Sequence, residues 1–368
     1  MIKLSSPEIP ESAISLAVDI LRSGNLVQGK HVLELEKRLA EYLGTAECIC
    51  VSSGTAALHL AILALDLPAG AEAIVPGFTF PATANAAEVS RIHTNFADIR
   101  LDDCCIDSAE LEKAWNPAVK VIIPVHEFGQ SADMDPILAF AKEKNLFVIE
   151  DAACALGTEY KGQKCGTFGT LGCFSFHPRK AITSGEGGCI VTNDADLAKK
   201  IRILRNHGID NSTGKIDFVV PGLNYRMTDF QAALCLDQLA QFPEQIEKRR
   251  CLAKKYDEAL KHISWITPPV DFADRRMVYQ TYHVLLEPSV DRAKLIAYLR
   301  ENGVETNFGA QALHLLSCYR KGHTAETQSM KNSAEACLHG LALPMGNHVK
   351  DEDLNLIVSL LEKFRNID

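Results

Sequence analysis

Phe174-Ser175-Phe176-His177-Pro178-Arg179-Lys180-Ala181-Ile182-Thr183-Ser184-Gly185-Glu186-Gly187-Gly188 sets one lysine between an apolar segment and three glycines. The residues leading into it, 171–176, are short, apolar and aromatic, with a breaker at Pro178, which is the pattern of a buried strand. The residues after it, 187–192, read as a second strand ended by Asn193-Asp194. Lys180 then falls in a tight connection between two core strands. A lysine held in a partly dry loop is expected to have a lowered pKa and to act as a nucleophilic amine, the form needed for a Schiff base. Gly185, Gly187 and Gly188 let the backbone approach a flat ligand. The same stretch also suits a solvated lysine beside glycine-rich turns, so the rest of the chain has to decide.

Working outward, short apolar pieces alternate with helical spacing. Strands are expected at 48–51, 73–75, 94–97, 119–123 and 146–149, and helices at 10–21, 32–43, 56–65, 81–89, 108–115 and 136–144. That alternation implies crossover units and an α/β fold with a mostly parallel central sheet covered by helices on both faces. Beyond it, helices at 227–239 and 241–262 precede a mixed segment with strands at 282–286 and 340–343 and helices at 292–301 and 351–364. We read residues 1–240 as a large α/β domain and 241–368 as a smaller C-terminal α+β domain.

Three junctions accompany the lysine. Ser52-Ser53-Gly54-Thr55 joins a strand to a helix, where unpaired N–H groups and a partial positive charge suit a phosphate; a plain N-cap would look the same. Glu150-Asp151 closes a strand at the carboxyl edge, where open α/β sheets bind ligands. A carboxylate there can pair with a protonated ring nitrogen, or simply cap a helix. Phe80, in Gly77-Phe78-Thr79-Phe80-Pro81, can stack on a ring or fill the core. Pyridoxal phosphate needs all four parts together: a lysine, a phosphate cradle, a carboxylate and a stacking face.

Composition narrows the alternatives. The 368 residues carry a net charge of -9, with 23% charged and 47% hydrophobic residues, which argues against a general nucleic-acid binder or an anionic-membrane binder. The N-terminal residues lack the apolar run of a signal peptide, and no stretch approaches a membrane span. The 12 cysteines include no C-x-x-C pair and read as reduced thiols of a cytoplasmic enzyme, with no metal site expected. No Walker A, G-x-G-x-x-G after a strand, H-E-x-x-H or G-x-S-x-G motif competes.

The succession Ser52–His59, Val148–Ala153, Phe174–Lys180, Gly185–Gly188 and Gly222-Leu223-Asn224-Tyr225-Arg226-Met227 resembles the DegT-type (DegT/DnrJ/StrS) sugar aminotransferases, fold-type-I enzymes dependent on pyridoxal phosphate. The resemblance covers most of the chain and thins beyond residue 240. It implies that Lys180 is the Schiff-base lysine and the proton shuttle. It implies that Gly54, Thr55 and Ser175 hold the phosphate, that Asp151 keeps the ring nitrogen protonated, and that Phe80 stacks on the ring. By the same resemblance Asn224 crosses to a partner subunit's phosphate, so the enzyme is at least a homodimer. Arg226 and His314 are implied to meet the substrate. The expected reaction moves an amino group from an amino-acid donor, L-glutamate or a similar one, to a keto group of a nucleotide-linked deoxysugar. Two departures stand out. Cys154 occupies a position that is often Gln or His in the family, and Gly309-Ala310 replaces a His-Tyr pair. Rival readings are a pyridoxal-phosphate lyase, either a sugar dehydratase or a cysteine desulfurase using Cys318, and a non-catalytic binder on the same scaffold. The related dehydratases carry histidine where this chain has Lys180.

Overall fold

Seven strands form the central sheet of the computed structural model, which describes residues 1–320 and 330–364. They are β1 (Glu47–Val51), β2 (Glu72–Pro76), β3 (His93–Ala97), β4 (Val119–Ile122), β5 (Phe147–Asp151), β6 (Leu171–Ser175) and β7 (Gly188–Thr192). Their spatial order is β1-β7-β6-β5-β4-β2-β3. Every pairing from β6 outward to β3 is parallel, and β7 alone runs against its two neighbours. The sheet is therefore mostly parallel, as the alternation of strands and helices implied.

Successive residues of a strand face opposite ways. In β1, Cys48 and Cys50 join one apolar core while Ile49 and Val51 join the other. Helices close both faces. On one side lie α1 (Glu11–Ser23) and α2 (Lys30–Leu43), packed against a long helix at Asp229–Leu260. On the other lies α3 (Gly54–Ala64), buried nearly all round, with α4 (Ala82–Val89) and the helix Ala195–Arg205 beside it. A helix apolar on every side belongs inside a protein, and α3 fits that rule.

Two expectations are corrected. The connection from β6 to β7 is a long loop over residues 176–187, anchored by the Phe176 N–H to the Gly187 carbonyl (2.8 Å) and by a turn from Lys180 N–H to His177 O (2.8 Å). The helices expected at 227–239 and 241–262 are one helix, Asp229–Leu260, with Pro243 inside it. A proline costs a helix its N–H bond and crowds the carbonyl four residues back, but here Phe242 and Ile246 stay buried beside it and the helix continues. The helix passes through residue 240. Its residues up to Ile246 pack into the core of the large sheet, and those from Leu252 onward into another.

That further core covers a small antiparallel sheet of β8 (Ile266–Thr267), β9 (Tyr282–Leu286) and β10 (Gly340–Leu343), in the order β8-β9-β10. Helices Arg292–Glu301, Lys331–His339 and Asp351–Phe364 accompany it. The first residues of the chain belong here too, since Ile2 bridges to Val304 and the Met345 N–H donates to Leu4 O at 3.1 Å.

Candidate active site

The carboxyl ends of β1, β2, β4, β5 and β6 converge on one edge of the sheet, and each leads into a loop carrying a candidate residue. This is the edge at which open α/β sheets bind ligands.

Lys180 follows β6. Its Nζ donates to Cys154 Sγ at 2.9 Å. Burial alone would pull the ammonium down, but Cys154, Asp151 and Glu127 outweigh it, and the group sits above its ordinary value. The lowered pKa expected of a dry loop is thus overturned. Lys180 is half-buried in a loop that is partly exposed, and the acidic groups beside it favour the charged form. Burial likewise pushes the Cys154 thiol up, with the charge of Lys180 pulling the other way.

Asp151 ends β5 and is buried. Its Oδ2 accepts from Thr83 Oγ1 at 2.7 Å, and its Oδ1 from the Ala153 N–H at 3.1 Å. Burial raises its pKa, while the bonds from Thr83 and Ala153 and the charge of Lys180 pull the other way. Glu150 points to the opposite face, as strand alternation demands. It accepts from the N–H groups of Gly166 (2.7 Å), Phe168 (2.6 Å) and Gly169 (2.6 Å), and pairs with His126 Nε2 at 2.8 Å. The Ala132 N–H reaches His126 Nδ1 at 3.1 Å, so the proton of that ring sits on Nε2, toward Glu150.

The β1–α3 junction is a helix N-terminus of the kind that suits an anion. Ser53 caps α3 by accepting the Ala56 N–H at 3.1 Å. The N–H groups of Gly54 and Thr55 precede the first intrahelical acceptor and have none within the helix. A Cβ on Gly54 would lie 2.8 Å from Ser175 Cβ and 3.1 Å from Ser175 Oγ, so only glycine lets β6 pass this close. Thr55 is exposed at the mouth. Phe80 is 70% exposed, which leaves its ring free to cover a ligand.

Lys180 in its loop, Asp151 and Ser175 at strand ends, and Gly54 and Thr55 at the start of α3 thus belong to one sheet edge. Asn224, Arg226 and His314 hydrogen-bond to none of Lys180, Asp151 and Ser175 among the described residues. Asn224 is exposed and bridges to Asn206, while the Arg226 guanidinium donates to Asn206 Oδ1. Tyr225 between them ties this segment to the cradle, since its carbonyl accepts the Ser52 N–H at 2.9 Å and its hydroxyl meets His59 Nδ1 at 3.0 Å. His314 is 2% exposed, with Nδ1 unpaired, beneath the short pairing of Gln311–Ala312 with Phe78–Thr79.

Sequence reasoning missed Thr83 and Glu127. Thr83 lies in the first turn of α4, and nothing in the sequence links it to Asp151, 68 residues away. Glu127 follows β4 at the same ligand-binding edge, and that edge rule could have found it.

The residues present fit pyridoxal phosphate: a cradle that excludes a Cβ, a buried carboxylate able to meet a ring nitrogen, an amine, and an open aromatic face. The fold and this edge define a pyridoxal-phosphate-dependent transferase. Comparison with known proteins gives the particular kind. The model of the DegT/DnrJ/EryC1/StrS aminotransferase family matches residues 7–362, and the chain belongs to that family. GDP-perosamine synthase of Caulobacter vibrioides is 38% identical, over 91% of this chain and 90% of its own. Helicobacter pylori PseC, an aminotransferase involved in the biosynthesis of pseudoaminic acid, superposes with a TM-score of 0.93 at 28% identity, covering 98% of each chain. The PLP form of Spr1654 from Streptococcus pneumoniae gives a TM-score of 0.90 at 29% identity, covering 98% of each chain. The chain is a sugar aminotransferase, and pyridoxal phosphate is its cofactor.

Proposed function

We propose that the protein transfers an amino group from L-glutamate, or a similar amino acid, to a keto group of a nucleotide-linked deoxysugar, as a cytoplasmic homodimer serving aminosugar biosynthesis. The observation that carries this reading is the half-buried Lys180 within electrostatic reach of the buried Asp151, at the sheet edge where Gly54 opens α3. When bound, the cofactor supplies an electrophilic carbonyl and an electron-withdrawing ring. Lys180 Nζ would hold the cofactor at its carbonyl and, when free, would serve as the base and acid that carries the proton at the substrate carbon. The Asp151 carboxylate would face the ring nitrogen and favour its protonated form. Gly54, Thr55 and Ser175 bind the phosphate, and Phe80 covers the ring and excludes water. The exposed Asn224 reaches a partner's phosphate, and Arg226 and His314 orient the sugar substrate. The larger, cofactor-binding unit takes most of residues 1–240 and the smaller unit most of 241–368, with the helix Asp229–Leu260 common to both. Among the described residues no helix is long and apolar enough to cross a membrane.

The test is an amination screen with glutamate against keto sugars linked to GDP, UDP and dTDP, read by product mass. The GDP compounds come first, because of the name of the Caulobacter relative. Lys180→Ala is expected to lower turnover by roughly a thousandfold or more. Aminosugar formed by that variant at the parent rate would refute the reading.

A further inference from the structure

Two turns meet at the lysine, and each carries one nucleophile. The first follows β5. It is tied to the next strand by the Ala152 N–H to Cys173 O (2.9 Å) and closed by the Ala155 N–H to Ala152 O (2.9 Å). Asp151 Oδ1 accepts the Ala153 N–H at 3.1 Å, so the acid of the site also shapes the turn that follows it. Cys154 comes next. Its carbonyl backs onto Gly129, where φ is +90° and a Cβ would lie 3.0 Å from that oxygen.

The second turn follows β6. The Lys180 N–H donates to His177 O at 2.8 Å, and the buried Gln280, from the smaller unit, donates to Arg179 O at 2.8 Å. Three residues on, Gln238 holds Thr183 through both its N–H (3.0 Å) and its carbonyl (2.7 Å). The backbone on either side of Lys180 is therefore fixed, and the freedom that remains lies in its long side chain.

Where the turns meet, Nζ donates to Cys154 Sγ at 2.9 Å. Among the described residues Nζ makes no other hydrogen bond and no ion pair, although an ammonium has three donors. Both residues are half-buried. The charged groups around the pair are Asp151 and Glu127 beyond β5 and β4, and His177 and Arg179 on the lysine's own loop. Glu8 and Arg249 stand across a small cavity that Lys180 helps to line. None of these hydrogen-bonds to Nζ. Burial pulls the ammonium down, and Cys154 leads the groups that hold it up.

The identity of that one acceptor matters. An ionised oxygen would clamp the ammonium with a charge-assisted bond, roughly twice as strong as a neutral one. A thiol sulfur accepts weakly. It fixes where the amine stands and still lets it leave.

We propose that Cys154 is a positioning residue for the amino transfer: its sulfur holds Lys180 Nζ in place whenever the amine is not bonded to the cofactor. This rests on Lys180 being the group that bonds the cofactor.

The experiment uses the full-length protein freed of cofactor. o-Phthalaldehyde joins an amine and a thiol in contact with one another into a fluorescent isoindole, with loss of water. The expected product links the peptides that hold Cys154 and Lys180, read by mass. Absence of that link in the parent overturns the proposal, and this measurement needs no variant. Carbamoylation of Lys180 by cyanate, followed against pH by peptide mass, then tests what the contact does. Cys154→Ala removes the acceptor, so the Lys180 midpoint falls by about one pH unit and labelling at pH 8 rises roughly tenfold. Cys154→Ser keeps an acceptor and stays within about threefold of the parent. An unshifted midpoint in Cys154→Ala overturns the proposal, as does an equal shift in both variants. Borohydride fixation of added pyridoxal phosphate on the parent tests the cofactor reading separately, so failure of one is not mistaken for failure of the other.

Discussion

Glu150 and Asp151 are neighbours in one strand, both buried, and they do opposite work. Glu150 faces the loop after β5 and is saturated, with three backbone N–H groups and a histidine on its two oxygens. Nothing is left for a ligand. Asp151 faces the lysine with one hydroxyl and one N–H on its oxygens, and keeps acceptor capacity in reserve. A carboxylate accepts about four hydrogen bonds. The difference teaches that burial does not separate a structural acid from a functional one. The count of partners does.

That contrast can be broken in three places, from the largest effect to the smallest. Asp151→Asn should leave folding intact, since an amide suits a buried position better than an ionised acid does, yet lower turnover by about 10²- to 10³-fold through the lost charge. Urea midpoints and steady-state rates measured together would show it; an active variant places the functional acid elsewhere. Glu150→Gln should behave in the reverse way. Removing one partner of a buried ionic network costs about 3 kcal/mol, seen as a lower urea midpoint at constant m, while activity per folded molecule stays near the parent. Loss of activity without loss of stability would erase the distinction. Thr83→Val removes only a hydroxyl. The Thr83 bond lowers the Asp151 pKa, so its loss moves that pKa upward and shifts the acid limb of the pH–rate profile to higher pH. Turnover at neutral pH should fall about tenfold or less, and stability by about 1 kcal/mol. An unmoved acid limb would detach Thr83 from the acid.

The same contrast marks what could be read from sequence. Most strands were legible as short apolar runs, and Lys180 because a proline and three glycines flank it. Their alternation with helices gave the parallel sheet. Partnership was not legible. That Glu150 is sated and Asp151 is not depends on Gly166, Phe168 and Gly169 folding back on one face, and on Thr83 arriving at the other from a distant helix. The sign of the lysine's shift failed for a related reason: a drying loop was inferable, but the partners that favour the charge, Cys154 first and then Asp151 and Glu127, come from other loops of the sheet edge. The two helices read around residue 240 are one because burial of Phe242 and Ile246 overrides the local signal of Pro243.

That single helix has a practical consequence. A fragment ending at residue 240 would stop at mid-helix, withdrawing Phe242 and Ile246 from the core that holds Leu236 and Leu239 and exposing it to water. The portion after the cut would begin with a helix deprived of its capped start at Thr228. Neither half should survive on its own as a soluble piece, so the two portions are better thought of as sharing a spine than as joined by a linker.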